Sequence, residues 1–193
     1  MMMRECNEKQ EKCTALEAAN YLLYLTDGAY EDMTNMKLNK LLYYAQGYSL
    51  KQTGHVLFSD EVEAWEHGPA INSVYQKYKN NGDKPITTYD SEEAGRMPKE
   101  AIDILLSVAR EYGRYNASTL RGMTHVPKSP WDKYYVAGAS HVTIPVGFIK
   151  EYFDKNEKEI QDIKTSLTDE DYIGYRDSEG YLVLPKEFDD ETI

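Results

Sequence analysis

Four histidines, His55, His67, His125 and His141, and two cysteines, Cys6 and Cys13, are the side chains best suited to hold a metal or start a nucleophilic attack. A helical zinc site needs two ligands one turn apart on one face, and no two of these histidines stand at i and i+4. The cysteines match no zinc or redox spacing and read as free thiols. Asp60, Glu61, Glu63 and Glu66 lie close together, but spacing alone does not separate a catalytic carboxylate pair from a charged face, so they are read as surface. The 12 glycines are scattered at the ends of elements. They form neither a phosphate-cradling loop nor a Gly-x-Ser-x-Gly nucleophile turn. No catalytic residue, metal ligand or cofactor is assigned, and the chain is expected not to be an enzyme. A metal-dependent hydrolase or nuclease assembled from the scattered histidines and carboxylates is kept as an alternative.

Binding is the class that remains. Hydrophobic residues make up 41% and charged residues 28%, the balance of a folded globular protein. Tyrosine outnumbers phenylalanine 17 to 4, which suits half-buried positions and contact surfaces. The net charge of -11 is unevenly spread. Residues 1–150 hold 19 acidic and 17 basic side chains, whereas 151–193 hold 14 and 5. Such an acidic block is either a solvated tail or a means of engaging a basic partner. No cluster of Lys and Arg offers the basic stripe that phosphate binding needs, so nucleic acid is disfavoured and a DNA-binding regulator is a lesser alternative. No apolar run approaches the roughly 18 residues of a membrane span. The opening MMMRECNEKQEKC is too polar for a secretory signal, and a cytoplasmic location is expected.

The elements that must position these residues are mostly helices. Thr14-Ala-Leu-Glu17 reads as a capping box opening a helix with Leu16, Ala19, Leu22 and Leu23 on one face. A second helix runs from about Thr34 to Thr53-Gly54, with Leu38, Leu41, Leu42 and Ala45 as its core stripe. Glu61 to Ala64 alternate as a half-buried strand would. Gly68-Pro69 then reads as punctuation before a helix bearing Ile71, Val74, Tyr75 and Tyr78. Ile86–Tyr89 is a candidate second strand. Pro98 opens a helix carrying Ala101, Ile102, Leu105, Leu106 and Ala109, ended by Gly113, and a short helix spans about Ala117–Met123. Two prolines and Ser129 mark a turn and a new helix at Trp131. Pro145 begins a last long helix with Phe148, Ile149, Tyr152, Phe153, Ile160 and Ile163 buried. Tyr172–Tyr175 and Tyr181–Leu184 flank Asp177-Ser178-Glu179-Gly180 as a hairpin. The expected fold is therefore mainly α, a single helical domain with a small β element and a C-terminal β-hairpin. Its parts are a polar N-terminal segment (1–13), a helical domain (14–165) and an acidic hairpin and tail (166–193).

Three blocks in this order carry a family resemblance: Lys37-Leu-Asn-Lys-Leu-Leu-Tyr-Tyr-Ala-Gln46, Ala64-Trp-Glu-His-Gly-Pro-Ala-Ile-Asn-Ser-Val-Tyr75, and Thr124-His125 with Pro130-Trp131. Together they resemble the Panacea, or SocA-like, domain, from about Ala15 to about Phe153. Asn39, Ala70 and Pro127 depart mildly from the family's usual glutamine, valine and acidic residue. The resemblance implies a mostly helical domain found in antitoxins of toxin–antitoxin pairs and in phage-associated proteins. It implies neutralisation of a cognate protein toxin by direct binding. Translation inhibitors such as toxic small alarmone synthetases are among the toxins of the family. In one branch it implies an adaptor that delivers its partner to a AAA+ protease. No catalytic residues come with it.

Within these blocks, Leu38, Leu41, Leu42, Trp65, Gly68, Pro69, His125, Pro130 and Trp131 are expected to be structural. Lys37, Lys40, Tyr44 and Tyr48 recur as a second stripe on the helix, either a solvated face or a partner contact. Glu66 and His67 are expected on an exposed turn, where binding often resides. With Tyr172, Tyr175 and Tyr181 of the acidic segment, they complete the expected partner-binding set.

Overall fold

The computed structural model describes residues 13–27, 32–94 and 97–160 and, by backbone, the short pair 175–176 and 182–183. Eight helices are present among these residues: α1 Ala15–Thr26, α2 Asn35–Thr53, α3 Asn72–Tyr78, α4 Ser91–Ala94, α5 Lys99–Tyr112, α6 Ala117–Thr124, α7 Pro130–Tyr134 and α8 Val146–Asn156. The mainly helical expectation holds. The capping box forms as read, with the Thr14 hydroxyl accepting from the Glu17 N–H and the Glu17 carboxylate accepting from the Thr14 N–H. Thr34 caps α2, which ends where Gly54 turns left-handed at φ 78°.

α2 is the axis of the fold. Fifteen of its nineteen residues are buried, because α1, α3, α5, α6, α8 and the small sheet all pack against it. A helix covered on every side must place even its polar side chains indoors. The stripe of Lys37, Lys40, Tyr44 and Tyr48 is thus not open: Lys37 is 1% exposed, Lys40 2%, and both tyrosines are fully covered. For the two tyrosines α5 and α8 supply the cover, and for Lys40 the strand bearing Pro69 does. Tyr44 stacks on Tyr112 of α5 with ring centroids 4.1 Å apart, and Tyr48 meets Phe153 of α8 edge-on at 5.3 Å. The Tyr48 and Tyr112 hydroxyls share a hydrogen bond of 2.7 Å, and Tyr48 donates another to the Lys158 carbonyl at 3.1 Å. Part of the tyrosine excess therefore belongs to the core and not to a contact surface.

The small sheet is a hairpin. β1 (Val62–Trp65) pairs antiparallel with β2 (Gly68–Ile71), Trp65 opposite Gly68, so Glu66 and His67 form the two-residue turn. Gly68-Pro69 is not the start of a helix; it is the return strand, and α3 begins only at Asn72. Proline fits here because an edge strand leaves one row of N–H groups unneeded. The other edge of β1 is paired by residues 142–144, through Ala64 N–H to the Val142 carbonyl and Ile144 N–H to the Val62 carbonyl, both 2.8 Å. Burial along β1 does not alternate, since sheet and helices enclose both faces and Glu63 is buried with its apolar neighbours.

Other expectations shift. Ile86–Tyr89 is not a strand: Ile86 is held by one N–H bond of 2.8 Å to the Met33 carbonyl. Leu16 faces outward, 38% exposed, while Ala15, Ala18, Ala19, Leu22 and Leu23 fill the core side of α1. In α5 the buried set is Ala101, Ile104, Leu105, Ser107, Val108, Ala109 and Tyr112, with Ile102 and Leu106 half-buried. α8 ends at Asn156, so Ile160 packs into the core from beyond the helix, and Ile163 lies outside the described residues. Cys13 is buried against the domain, its thiol donating to the Leu57 carbonyl, whereas Cys6 lies outside the described residues. The strands β3 (Tyr175–Arg176) and β4 (Leu182–Val183) pair antiparallel in a separate compact unit, residues 164–193. No helix among the described residues is long and apolar enough to cross a membrane.

Gly47 lets α2 approach α8. A Cβ at this position would lie 2.2 Å from the Phe153 ring, deep inside contact distance. Alanine in a helix interior ordinarily gains about 1 kcal/mol over glycine, yet overpacking a tight core costs about 1–3 kcal/mol. Gly47→Ala is expected to lower the free energy of unfolding in urea. An unchanged or raised value would show that α8 moves aside freely.

Candidate functional site

The site is built outward from the β1–β2 turn, because two sequence blocks converge on its backbone. Trp131, at the start of α7, donates its indole N–H to the Trp65 carbonyl at 2.6 Å. His125, at the end of α6, lies with Nε2 3.4 Å from the Glu66 carbonyl and donates through Nδ1 to the Arg121 carbonyl at 2.6 Å. The rings of His125 and Trp131 touch, with centroids 3.7 Å apart, and Trp131 stacks on Tyr135 at 4.8 Å. Burial pulls the His125 pKa below its ordinary value. Ser129 locks the approach: its hydroxyl donates to the Thr124 carbonyl at 2.9 Å and accepts from the Asp132 N–H that opens α7. Pro130 is buried at the first position of α7, and Leu38, Leu41 and Leu42 lie in the core.

From below, α2 holds the return strand by its polar side chains. Asn39 accepts from the Ile71 N–H at 2.8 Å and donates to Asn35, and Lys40 Nζ donates to the Pro69 carbonyl at 2.8 Å. Further along, Gln46 clasps the Leu57–Phe58 backbone, accepting from both N–H groups and donating to the Phe58 carbonyl. These residues replace a missing strand neighbour one hydrogen bond at a time. Lys37 is paired with Asp32 at the start of α2. Lys40 is different, since among the described residues no carboxylate lies within ion-pair distance of it. Burial, reinforced by the Arg121 charge, pulls its pKa down to about 7.

Above the turn the surface opens. Glu66 and His67 are exposed, as expected. A cavity of about 350 Å³ lies beside them, its wall including Asn39, Lys40 and Gly68 and its rim Met36, Trp65 and Tyr75. Met36 is 37% and Tyr75 38% exposed, large apolar groups on an otherwise polar face. On the other side of Trp65 a second hollow of about 290 Å³ is lined by Gln76, Ala139, Ser140 and His141. Glu63 is not a surface carboxylate: it accepts from the Trp65 indole at 2.7 Å and meets His141 Nδ1 at 2.9 Å. It thereby fixes the face that Trp65 shows to Tyr75, whose ring meets it edge-on at 4.8 Å.

Of the expected contacts, the structure brings Glu66, His67 and Lys40 to one cavity. Tyr44 and Tyr48 are placed in the α2–α5–α8 core instead, and Lys37 is held with Asp32. Tyr172 and Tyr181 lie outside the described residues, and only the backbone of Tyr175 is described. Met36, Tyr75, Glu63 and His141 were missed as site residues. Helical spacing had put Tyr75 with the core, and nothing local in the sequence ties Glu63 to His141, 78 positions away. Among the described residues no group of three or more His, Cys, Asp or Glu could hold a metal ion.

Residues 38–132, which span α2 to α7 and contain the converging blocks, match the family model for the antitoxin SocA-like Panacea domain. The antitoxin SocA of Caulobacter vibrioides (strain NA1000 / CB15N) is 28% identical over 143 residues, covering 67% of this chain and 74% of that protein. No solved structure matches the chain.

Two outcomes test the geometry. Trp131→Phe keeps an aromatic ring, though a smaller one, and leaves the Trp65 carbonyl without its donor. It is expected to cost about 1–3 kcal/mol in urea unfolding and to speed amide exchange in residues 65–68; exchange no faster than in the parent chain would remove Trp131 as the anchor of the turn. Lys40 has a lowered pKa in the native state, so between pH 7 and 8.5 the unfolded chain binds more protons and stability rises with pH. The slope from this group is at most about 1.4 kcal/mol per pH unit. Higher in pH, Cys13, pushed up to about 11 by burial, and the buried tyrosines act in the opposite sense. Lys40→Met should flatten the rise within that window, and an identical slope in both proteins would contradict the burial of a charge at this position.

Proposed function

With a Panacea domain of the antitoxin SocA-like family at residues 38–132 as the premise, we propose that the chain is an antitoxin that neutralises a cognate protein toxin by direct contact through the β1–β2 turn. The family and the related antitoxin support the role. The observation that carries the choice of surface is the turn itself. Glu66 and His67 stand exposed on a backbone tied to α7 through Trp131, beside a cavity rimmed by Met36 and Tyr75. A rigid turn loses little entropy when a partner docks, and methionine and aromatic side chains are the groups enriched in interface cores. The toxin would be masked sterically, with Glu66 and His67 setting the polar part of the contact.

In this reading residues 14–165 act as the binding domain, and the acidic segment 166–193 contributes a second contact through Tyr172, Tyr175 and Tyr181. A translation inhibitor, such as a toxic small alarmone synthetase, fits the role of target. The excess of 14 acidic over 5 basic side chains after residue 150 also favours a second reading, in which the segment docks on another protein and the chain delivers its partner to a AAA+ protease. The lifetime of the partner separates the two, because an adaptor shortens it only when the protease is present.

Co-expression with a neighbouring reading frame that is lethal alone tests the proposal. The chain should restore growth, and Glu66→Lys combined with His67→Ala should abolish rescue without changing the melting temperature, since both side chains are exposed. Full rescue by the double variant would move the contact elsewhere. No rescue by the parent chain would end the antitoxin reading for that pair.

A further inference from the structure

We infer that the cavity beside the β1–β2 turn is a receptor for a single carboxylate, carried by an acidic side chain of the bound protein and received by Lys40. The inference rests on the proposed antitoxin role and names the chemistry of its contact. An ammonium group has three donors, and Lys40 Nζ uses one, to the Pro69 carbonyl at 2.8 Å. Among the described residues it has no carboxylate partner, in contrast to Lys37 with Asp32 on the same helix. Buried lysines are otherwise paired or neutral. The charge that acts on it is of its own sign: Arg121 on α6 lowers its pKa, and it in turn lowers that of His125. Of the other elements at the cavity, the hairpin contributes Glu66 and His67, both exposed, and the 3-10 turn after α3 contributes Lys79.

Space at the amine is kept open by Gly68. Its φ of 101° suits glycine, and a Cβ there would lie 2.8 Å from Lys40 Nζ and 2.9 Å from Thr124 Oγ1. The chemistry of the walls limits the guest. One buried cation, with the Glu66 carboxylate close by, favours a singly charged anion over a phosphate, which calls for several donors or an arginine fork. The rim of Met36, Trp65 and Tyr75 offers apolar cover for the chain on either side of an acidic residue, which a free small acid would leave uncovered. Without a guest, burial draws the Lys40 pKa down to about 7. An opposing charge brought to it restores the ammonium form, so binding and protonation of Lys40 are coupled.

The test uses the full chain with lysine side chains labelled for NMR, the Lys40 signal being identified by its loss in Lys40→Met. Sodium acetate is the probe and acetamide its neutral counterpart. Acetate is expected to raise the Lys40 titration midpoint by about one pH unit and to shift Met36 and Tyr75 resonances, with acetamide doing neither. A peptide with one central glutamate should act at lower concentration than acetate, and its glutamine version should not act. Equal effects of acetate and acetamide, or an unmoved midpoint, would overturn the carboxylate site; the same shifts in a folded Lys40→Met would overturn the role of Lys40. Acetate as effective as the glutamate peptide would overturn the protein partner as its source. If Lys40→Met does not fold, the lysine signal that titrates near pH 7 identifies Lys40 in the parent chain, and the comparison of acetate with acetamide decides on that signal. A failed titration with toxin rescue intact removes this inference only, and a successful titration with no rescue removes the antitoxin reading only.

Discussion

Covering α2 on all sides creates the problem that the rest of the structure answers. A surface helix can send its lysines, asparagines and glutamines to water, but α2 has little face left for that, with fifteen of nineteen residues buried. Each buried polar side chain must find a partner indoors, because leaving one unpaired costs as much as several good contacts return. Asn39, Lys40 and Gln46 find theirs in the backbone of segments with no regular neighbour of their own: Ile71, Pro69 and the Leu57–Phe58 stretch. Two needs are met by one set of bonds. The helix satisfies its polar groups, and the chain between α2 and α3 gains a fixed path. Every described buried side-chain nitrogen and oxygen ends with a partner.

The same constraint explains why aromatic residues on α2 are tyrosines in the α5–α8 direction. Tyr48 and Tyr112 share a hydrogen bond, and Tyr48 also reaches the Lys158 carbonyl beyond the end of α8. A phenylalanine would fill the volume but leave that carbonyl unserved. Gly47 and Phe153 allow the close approach on which these contacts depend. Glu157 is drawn into this layer, where burial raises its pKa and the Tyr112 hydroxyl lies 3.3 Å from it. Apolar packing and polar pairing are thus interleaved within single side chains.

Much of the fold was legible because its signals are local. A capping box at Thr14–Glu17, a threonine cap at Thr34 and a left-handed Gly54 each act within a few residues, so sequence spacing contains the whole interaction. The site was less legible, for a physical reason. Periodicity assigns Lys37, Lys40, Tyr44 and Tyr48 to the side opposite Leu38 and Leu41, but it does not say what lies on that side. The bond from Lys40 to Pro69 spans 29 positions and that from Trp131 to Trp65 spans 66. Gly68-Pro69 misled for a related reason: the missing N–H of proline suits both the first turn of a helix and an edge strand. Only the pairing of β1 with β2 selects between them. Glu66 and His67 were placed correctly on either reading, since a turn precedes Gly68 in both.

This division of labour bears on how such a domain could serve different partners. The groups that fix the turn, Trp131 and Lys40, act on its carbonyls and not on its side chains. Backbone held in that way is indifferent to the residues it displays, so Glu66 and His67 are free to change without loss of the scaffold. Side chains on the rim, Met36 and Tyr75, are likewise outside the network that Asn39 and Gln46 maintain. Under the proposed docking role, specificity would reside in a thin exposed layer whose shape is set from beneath. Lys40 belongs to both layers, as a donor to the turn and as a wall of the cavity. A substitution there would alter the hold on β2 and the charge offered to a guest together. Under the proposed carboxylate contact, Lys40 would therefore be the part of the site least able to vary with the partner.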